Sequence, residues 1–133
     1  MKVMLDTNII ISAAMFPHGR TAAAYMKALI PPYEGVICDY VVDELRRKFR
    51  EKFPDHLTEL EAFLFNMLSS VTLVDTPEVE NELEYKIRDP KDRPILRAAL
   101  NAHADLLLTG DKDFLQSSIV DPRIISVSDF LEM

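Results

Sequence analysis

Two rhythms of apolar residues alternate along the chain. Short apolar runs at residues 2–5, 35–38, 71–74, 106–109 and 123–126 have the length of buried strands. Between them the apolar positions recur at helical spacing. Val41, Val42, Leu45, Phe49 and Phe53 mark one amphipathic helix, and Leu57, Leu60, Phe63, Leu64, Met67 and Leu68 a second, with a break at Pro54-Asp55. Asp6-Thr7-Asn8 supplies the N-terminal cap of a helix over residues 9–15, which Pro17-His18-Gly19 stops. Alanine-rich residues 21–29 predict another helix, ended by Pro31-Pro32. Pro90-Lys91-Asp92-Arg93-Pro94 opens a helix over residues 95–102, Gly110-Asp111-Lys112-Asp113-Phe114 turns into a short one, and residues 128–132 finish as an N-capped turn. The acid-rich residues 76–84 read as a solvated connection or a poor helix. Phe49, Phe53, Phe63 and Phe65 read as core or interface, and Met15, Met26 and Met67 as core filler.

Strands that alternate with helices imply right-handed crossovers and a mostly parallel sheet covered on both faces, here a three-layer α/β sandwich with five strands. The 133 residues suffice for one domain with one core. In such a sheet the ligand site forms at the carboxyl ends of the strands. Asp6 and Asp111 each stand just past such an end.

Composition narrows the function. The formal charge of −7 argues against a broad basic face for duplex nucleic acid, yet it is compatible with a nuclease whose carboxylates hold cations. The lone Cys38 cannot form an internal bridge, the N-terminus meets an acid too early for a signal peptide, and no apolar run has membrane-spanning length. A cytoplasmic location without membrane association is expected.

Four acids come from four separate segments that this topology can gather: Asp6, Glu44, Asp92 and Asp111. Like charges that converge raise one another's pKa unless a cation intervenes, so convergence implies a metal. An all-oxygen donor set selects Mg²⁺ or Mn²⁺, as one or two ions. His18, His56 and His103 are scattered and read as surface or cap residues rather than zinc ligands. Such a site suits phosphoryl transfer to metal-activated water, with Glu44 a candidate to assist proton removal.

Leu5-Asp6-Thr7-Asn8, Val42-Asp43-Glu44-Leu45, Asp89-Pro90-Lys91-Asp92 and Thr109-Gly110-Asp111-Lys112-Asp113-Phe114 together resemble the PIN-domain ribonucleases, most closely the VapC-like toxins of toxin–antitoxin pairs. The resemblance covers nearly the whole chain. It implies a sheet ordered 3-2-1-4-5, Mg²⁺-dependent or Mn²⁺-dependent cleavage of RNA, homodimers and an antitoxin partner. By position, Asp6, Glu44, Asp92 and Asp111 match the family's acidic quartet, Asp113 a fifth ligand, and Asn8 and Thr109 the polar residues flanking the site. Arg93-Pro94 departs from the Asn that relatives often carry after the third acid.

Each acid also has a local explanation. Asp6 fits a helix cap, Glu44 an ion pair with Lys48, Asp92 a favourable helix dipole, and Asp111 with Asp113 a polar turn. Their joint arrival at one sheet edge favours a single cause. Arg46, Arg47, Lys48, Arg50 and Lys52 form a basic cluster beside Glu44, read either as a guide for the RNA backbone or as a solvated helix face. Two other functions fit part of this pattern. One is a phosphatase forming an aspartyl-phosphate on Asp6, although Asn8 stands where its general acid belongs. The other is a catalytically inactive interaction module.

Overall fold

A computed structural model describes residues 1–133. The strands β1 (Lys2–Leu5), β2 (Glu34–Cys38), β3 (Thr72–Val74), β4 (Leu106–Leu108) and β5 (Arg123–Ile125) form one sheet in the order β3-β2-β1-β4-β5. Every neighbouring pair is parallel, so the expected sheet is present with no antiparallel strand. The helices are α1 (Thr7–Met15), α2 (Arg20–Ala28), α3 (Asp39–Lys52), α4 (Leu57–Leu68), α5 (Arg93–Asn101), α6 (Lys112–Leu115) and α7 (Val127–Glu132).

The site follows from the register. Central β1 pairs Leu5 with Leu108, so the residues just beyond these two strands emerge side by side. The Asp6 N–H extends the ladder by one bond, to the Leu108 carbonyl at 3.2 Å. Val3, Met4, Leu5, Val36, Ile37, Leu107 and Leu108 are wholly buried, as a strand covered on both faces requires. Their rigidity fixes where Asp6 begins. No helix is long and apolar enough to cross a membrane.

Several local expectations need correction. Met67 is buried, but Met15 and Met26 are 41% and 53% exposed, because they fall at the end of α1 and on the outer side of α2. Phe49 is in the core, whereas Phe65 is 81% exposed, which removes it from the core and leaves the interface half of its expectation open. Asp6 occupies the cap position of α1 without a side-chain capping bond, since its carboxylate is engaged elsewhere. The last helix is capped by Ser126, whose Oγ accepts from the Asp129 N–H at 3.1 Å, rather than by Ser128.

The connection over residues 76–84 is more ordered than its acidity suggests. Asn81 and Glu84 form a reciprocal capping box that opens a turn of 3-10 helix at Glu82–Lys86. Glu84 is 1% exposed and accepts from Arg97 Nε and Nη2 at 3.0 and 2.7 Å. A third Arg97 donor reaches the Pro77 carbonyl at 2.9 Å. The segment that carries residues 87–92 to the sheet edge is thereby strapped to α5.

Candidate active site

Four elements deliver carboxylates to the carboxyl edge of the sheet. Asp6 follows β1 and is 2% exposed, and Thr109 follows β4 and is fully buried. The Thr109 hydroxyl donates to Asp6 Oδ2 at 2.8 Å and accepts from the Asp111 N–H at 3.0 Å. This hydroxyl couples the two strand ends. Asp111 caps α6 by accepting the Asp113 N–H on Oδ1 at 2.8 Å, which leaves Oδ2 available.

Glu44 points inward from α3 and is 6% exposed. Its Oε1 accepts from the Thr7 hydroxyl, and its Oε2 lies 3.6 Å from Arg47 Nη2. The alternative pairing with Lys48 does not form, because Lys48 Nζ donates to Asn8 Oδ1 at 3.3 Å instead. Asp92 occupies the cap position of α5, and its Oδ2 is buried with no hydrogen-bond partner. Asp89, Asp92 and Asp113 each bring one carboxylate oxygen within 4.8 Å of the others. Arg88 Nη2 approaches Asp113 at 3.0 Å from the solvent side.

The electrostatics record this crowding. Burial pushes the Asp6 carboxyl up to about 6, against the lowering effect of the Thr109 hydrogen bond and with the charges of Asp111 and Glu44 adding to the rise. Burial, the hydrogen-bonding approach and charge of Asp111, and the charges of Asp6 and Asp89 push Asp92 up to about 8. Asp6, Asp92 and Asp111 therefore lie near enough for their charges to oppose one another. A divalent cation would remove the cost of ionising them together. The donor set fits such an ion: its oxygens are hard ligands, and the orphaned Asp92 Oδ2 lacks the partner that a buried carboxylate oxygen requires.

Part of this acidic group, without Asp6 or Asp113, borders a polar cleft of about 370 Å³ that has no hydrophobic lining residue. Glu44, Asp89, Asp92 and Asp111 face it, and Arg47, Lys48, Lys52 and Lys91 supply its cations. The basic cluster is split by the helix. Arg46 turns toward α4, where its Nε and Nη2 bond Glu61 at 2.9 and 3.3 Å, and neither it nor Arg50 lines the cleft. His18, His56 and His103 are exposed and lie outside the acidic group.

Sequence reasoning passed over Asp89, Lys91, Thr7 and Tyr40. The Tyr40 hydroxyl donates to the Lys91 carbonyl at 2.6 Å and ties the Asp89–Asp92 turn to α3. A signal was present for Asp89. It precedes a proline and lies three residues before Asp92, and its Oδ1 closes the turn by accepting the Lys91 N–H at 3.0 Å.

A family model of the PIN domain matches residues 2–113, a span that includes all of these acids. Among solved structures, VapBC2 from Rickettsia felis bound to a DNA fragment from its promoter matches with a TM-score of 0.72 and 19% identity. That match covers 95% of this chain and 98% of the other. DNA-bound VapBC from Salmonella typhimurium matches with a TM-score of 0.71 and 17% identity, covering 96% and 98%. At these identities the two likenesses establish a shared fold. No curated protein sequence matches the chain.

Proposed function

Because the chain belongs to the PIN-domain family of nucleases, we propose that it is a Mg²⁺-dependent or Mn²⁺-dependent endoribonuclease that hydrolyses RNA phosphodiester bonds with water. The observation that carries this reading is the meeting of Asp89, Asp92 and Asp113 carboxylate oxygens within 4.8 Å beside the orphaned Asp92 Oδ2, with Glu44 and Asp111 on the same cleft as Asp89 and Asp92. Asp6, Glu44, Asp92, Asp111 and Asp113 would hold one or two ions, with Asp92 and Asp113 already converging with Asp89. A bound ion of this class activates water and stabilises charge on the phosphoryl oxygens.

The chain's own groups do the remaining work. Thr109 fixes the Asp6 carboxylate, and Thr7 and Arg47 fix Glu44, so the acids are oriented before substrate arrives. Glu44, held at the cleft wall, accepts the proton released by the attacking water. Arg47, Lys48 and Lys52 draw the RNA backbone over an acidic floor that would otherwise repel it. Asn8, bonded to Lys48, cannot serve as the general acid that an aspartyl-phosphate phosphatase needs two residues after its nucleophile.

The fold shared with VapBC complexes supports a role as the toxin of a toxin–antitoxin pair; on this reading the chain acts in the cytoplasm as one domain and as a homodimer. An apolar groove of about 330 Å³, lined by Ala14, Met15, Phe49, Phe53, Leu60 and Phe63, suits an apolar segment of the antitoxin. The exposed Phe65 on α4 suits the dimer face. The decisive experiment incubates the purified chain with a mixed pool of structured and unstructured RNAs and Mg²⁺ or Mn²⁺. Cleavage abolished by chelator and by Asp6→Asn supports the reading. Cleavage that persists in chelator overturns it.

A further inference from the structure

Thr7, the first residue of α1, is 1% exposed, and its hydroxyl reaches 37 residues along the chain to donate to Glu44 Oε1. In this bond the hydroxyl is the donor and Oε1 the acceptor. Glu44 Oε2 is then the oxygen left beside Arg47, at 3.6 Å. The preceding residue has a matching arrangement. Asp6 Oδ2 is tied by the buried Thr109 hydroxyl.

Asp6 and Glu44, both buried, therefore each have one oxygen tied back by a threonine hydroxyl, which restrains rotation of the carboxylate and fixes the direction of the other oxygen. Thr7 adds something that Thr109 does not. It is covalently next to Asp6 while it bonds Glu44, so it sets the separation between an acid from the end of β1 and one from α3. We infer that Thr7 is a positioning residue that holds Glu44 in the orientation needed to act with Asp6 on a divalent cation and the attacking water. The inference rests on the nuclease reading. A merely structural role would be met by the shape of the side chain alone, and valine has nearly that shape with the same branching.

The test compares Thr7→Val, Thr7→Ser, Glu44→Gln and the double variant Thr7→Val/Glu44→Gln with the wild type. Calorimetric titration of the metal-free protein with Mn²⁺ is one readout, and kcat and KM for RNA cleavage are the other. Removing the hydroxyl should weaken Mn²⁺ binding and lower kcat by about 10-fold to 100-fold, as expected of groups that orient metal ligands, while KM for RNA changes little. Serine should restore both. In the Glu44→Gln background the valine substitution should add nothing further, because its effect passes through that carboxylate. Should Thr7→Val fail to fold by circular dichroism, Thr7→Ala removes the hydroxyl without demanding space and takes its place.

Wild-type Mn²⁺ affinity and kcat in a folded Thr7→Val chain would overturn the assignment, as would a full additional loss on top of Glu44→Gln. The two levels of the argument fail differently. A wild type that neither binds Mn²⁺ nor cleaves RNA removes the nuclease reading and this inference with it. A wild type that does both, with Thr7→Val indistinguishable from it, removes only the role of Thr7.

Discussion

The Thr109 hydroxyl donates to Asp6 Oδ2 at 2.8 Å, joining residues 103 positions apart at the ends of adjacent parallel strands. Without this donor, only the Thr7 backbone N–H would offset the desolvation of Asp6. The bond accepts an uncharged replacement, because an asparagine carbonyl can take the same hydroxyl.

Asp6→Asn should therefore preserve the fold and abolish cleavage, with a loss of more than about 100-fold, since even outer-shell changes around a metal cost 10-fold to 100-fold. In chelator at neutral pH it should also melt at a higher temperature than the wild type. A carboxyl raised from 3.8 to about 6 by burial carries an ionisation cost on the order of 3 kcal/mol above pH 6, and the amide escapes it. Differential scanning calorimetry in chelator decides the point. A lower melting temperature would make Asp6 a structural cap.

The same acids set a pH dependence of opposite sign to the usual acid denaturation. Asp6 and Asp92 have folded-state values raised to about 6 and about 8, so between pH 4 and pH 8 the folded chain holds protons that the unfolded chain has released. Stability of the metal-free protein should fall as pH rises through this window and level off above it. Mg²⁺ should restore stability most strongly at pH 8, and Asp92→Asn should flatten the profile. Urea unfolding at pH 5, 6.5 and 8, with and without Mg²⁺, measures this. A rise in metal-free stability across the window would refute the electrostatic account.

The Glu84–Arg97 pair makes a separate prediction about the strap that carries Asp89 and Asp92. Glu84 is 1% exposed and the Arg97 side chain 15%, and Arg97 holds the Glu84 carboxyl below its ordinary range. Arg97→Met strands a buried charge and should cost about 3–5 kcal/mol, whereas Arg97→Met with Glu84→Met should recover most of that loss. Urea titration of the two variants provides the comparison. Equal destabilisation by the single and double variants would show that the strap depends on the ion pair itself.

The strand and helix order was legible because each strand is a local apolar run, and Asp6 and Asp111 were legible because each stands within three residues of the end of one. Glu84 was not. Its neighbours Glu78, Glu80 and Glu82 look alike in sequence, and only the fold places Arg97 against one of them. The distinction between Arg46 and Arg47 was hidden for a related reason: consecutive residues on a helix point about 100° apart, so one meets Glu61 on α4 and the other lines the cleft. Asp89 became visible as part of the acidic group only once the proline turn had brought it beside Asp92 and Asp113. The exposure of Met15 and Met26 depends on which helix faces remain uncovered, which periodicity does not specify.

That division of the basic cluster predicts two kinds of lysine and arginine variants. Lys48 and Lys52 line the cleft without touching Glu44. Replacing both with glutamine should weaken binding of single-stranded RNA, and if each contacts one phosphate the slope of log affinity against log salt should fall by about 1.4. Mn²⁺ affinity should remain unchanged. Arg46→Gln breaks only the exposed pair with Glu61, an interaction worth about 0–1 kcal/mol at most, and should leave RNA affinity and its salt slope near wild type. Fluorescence anisotropy across a salt series, with Asp6→Asn as the background to prevent cleavage, separates the two sets. If Arg46→Gln reduces the slope as much as the double lysine variant, the RNA path crosses the α3–α4 surface rather than the acidic cleft.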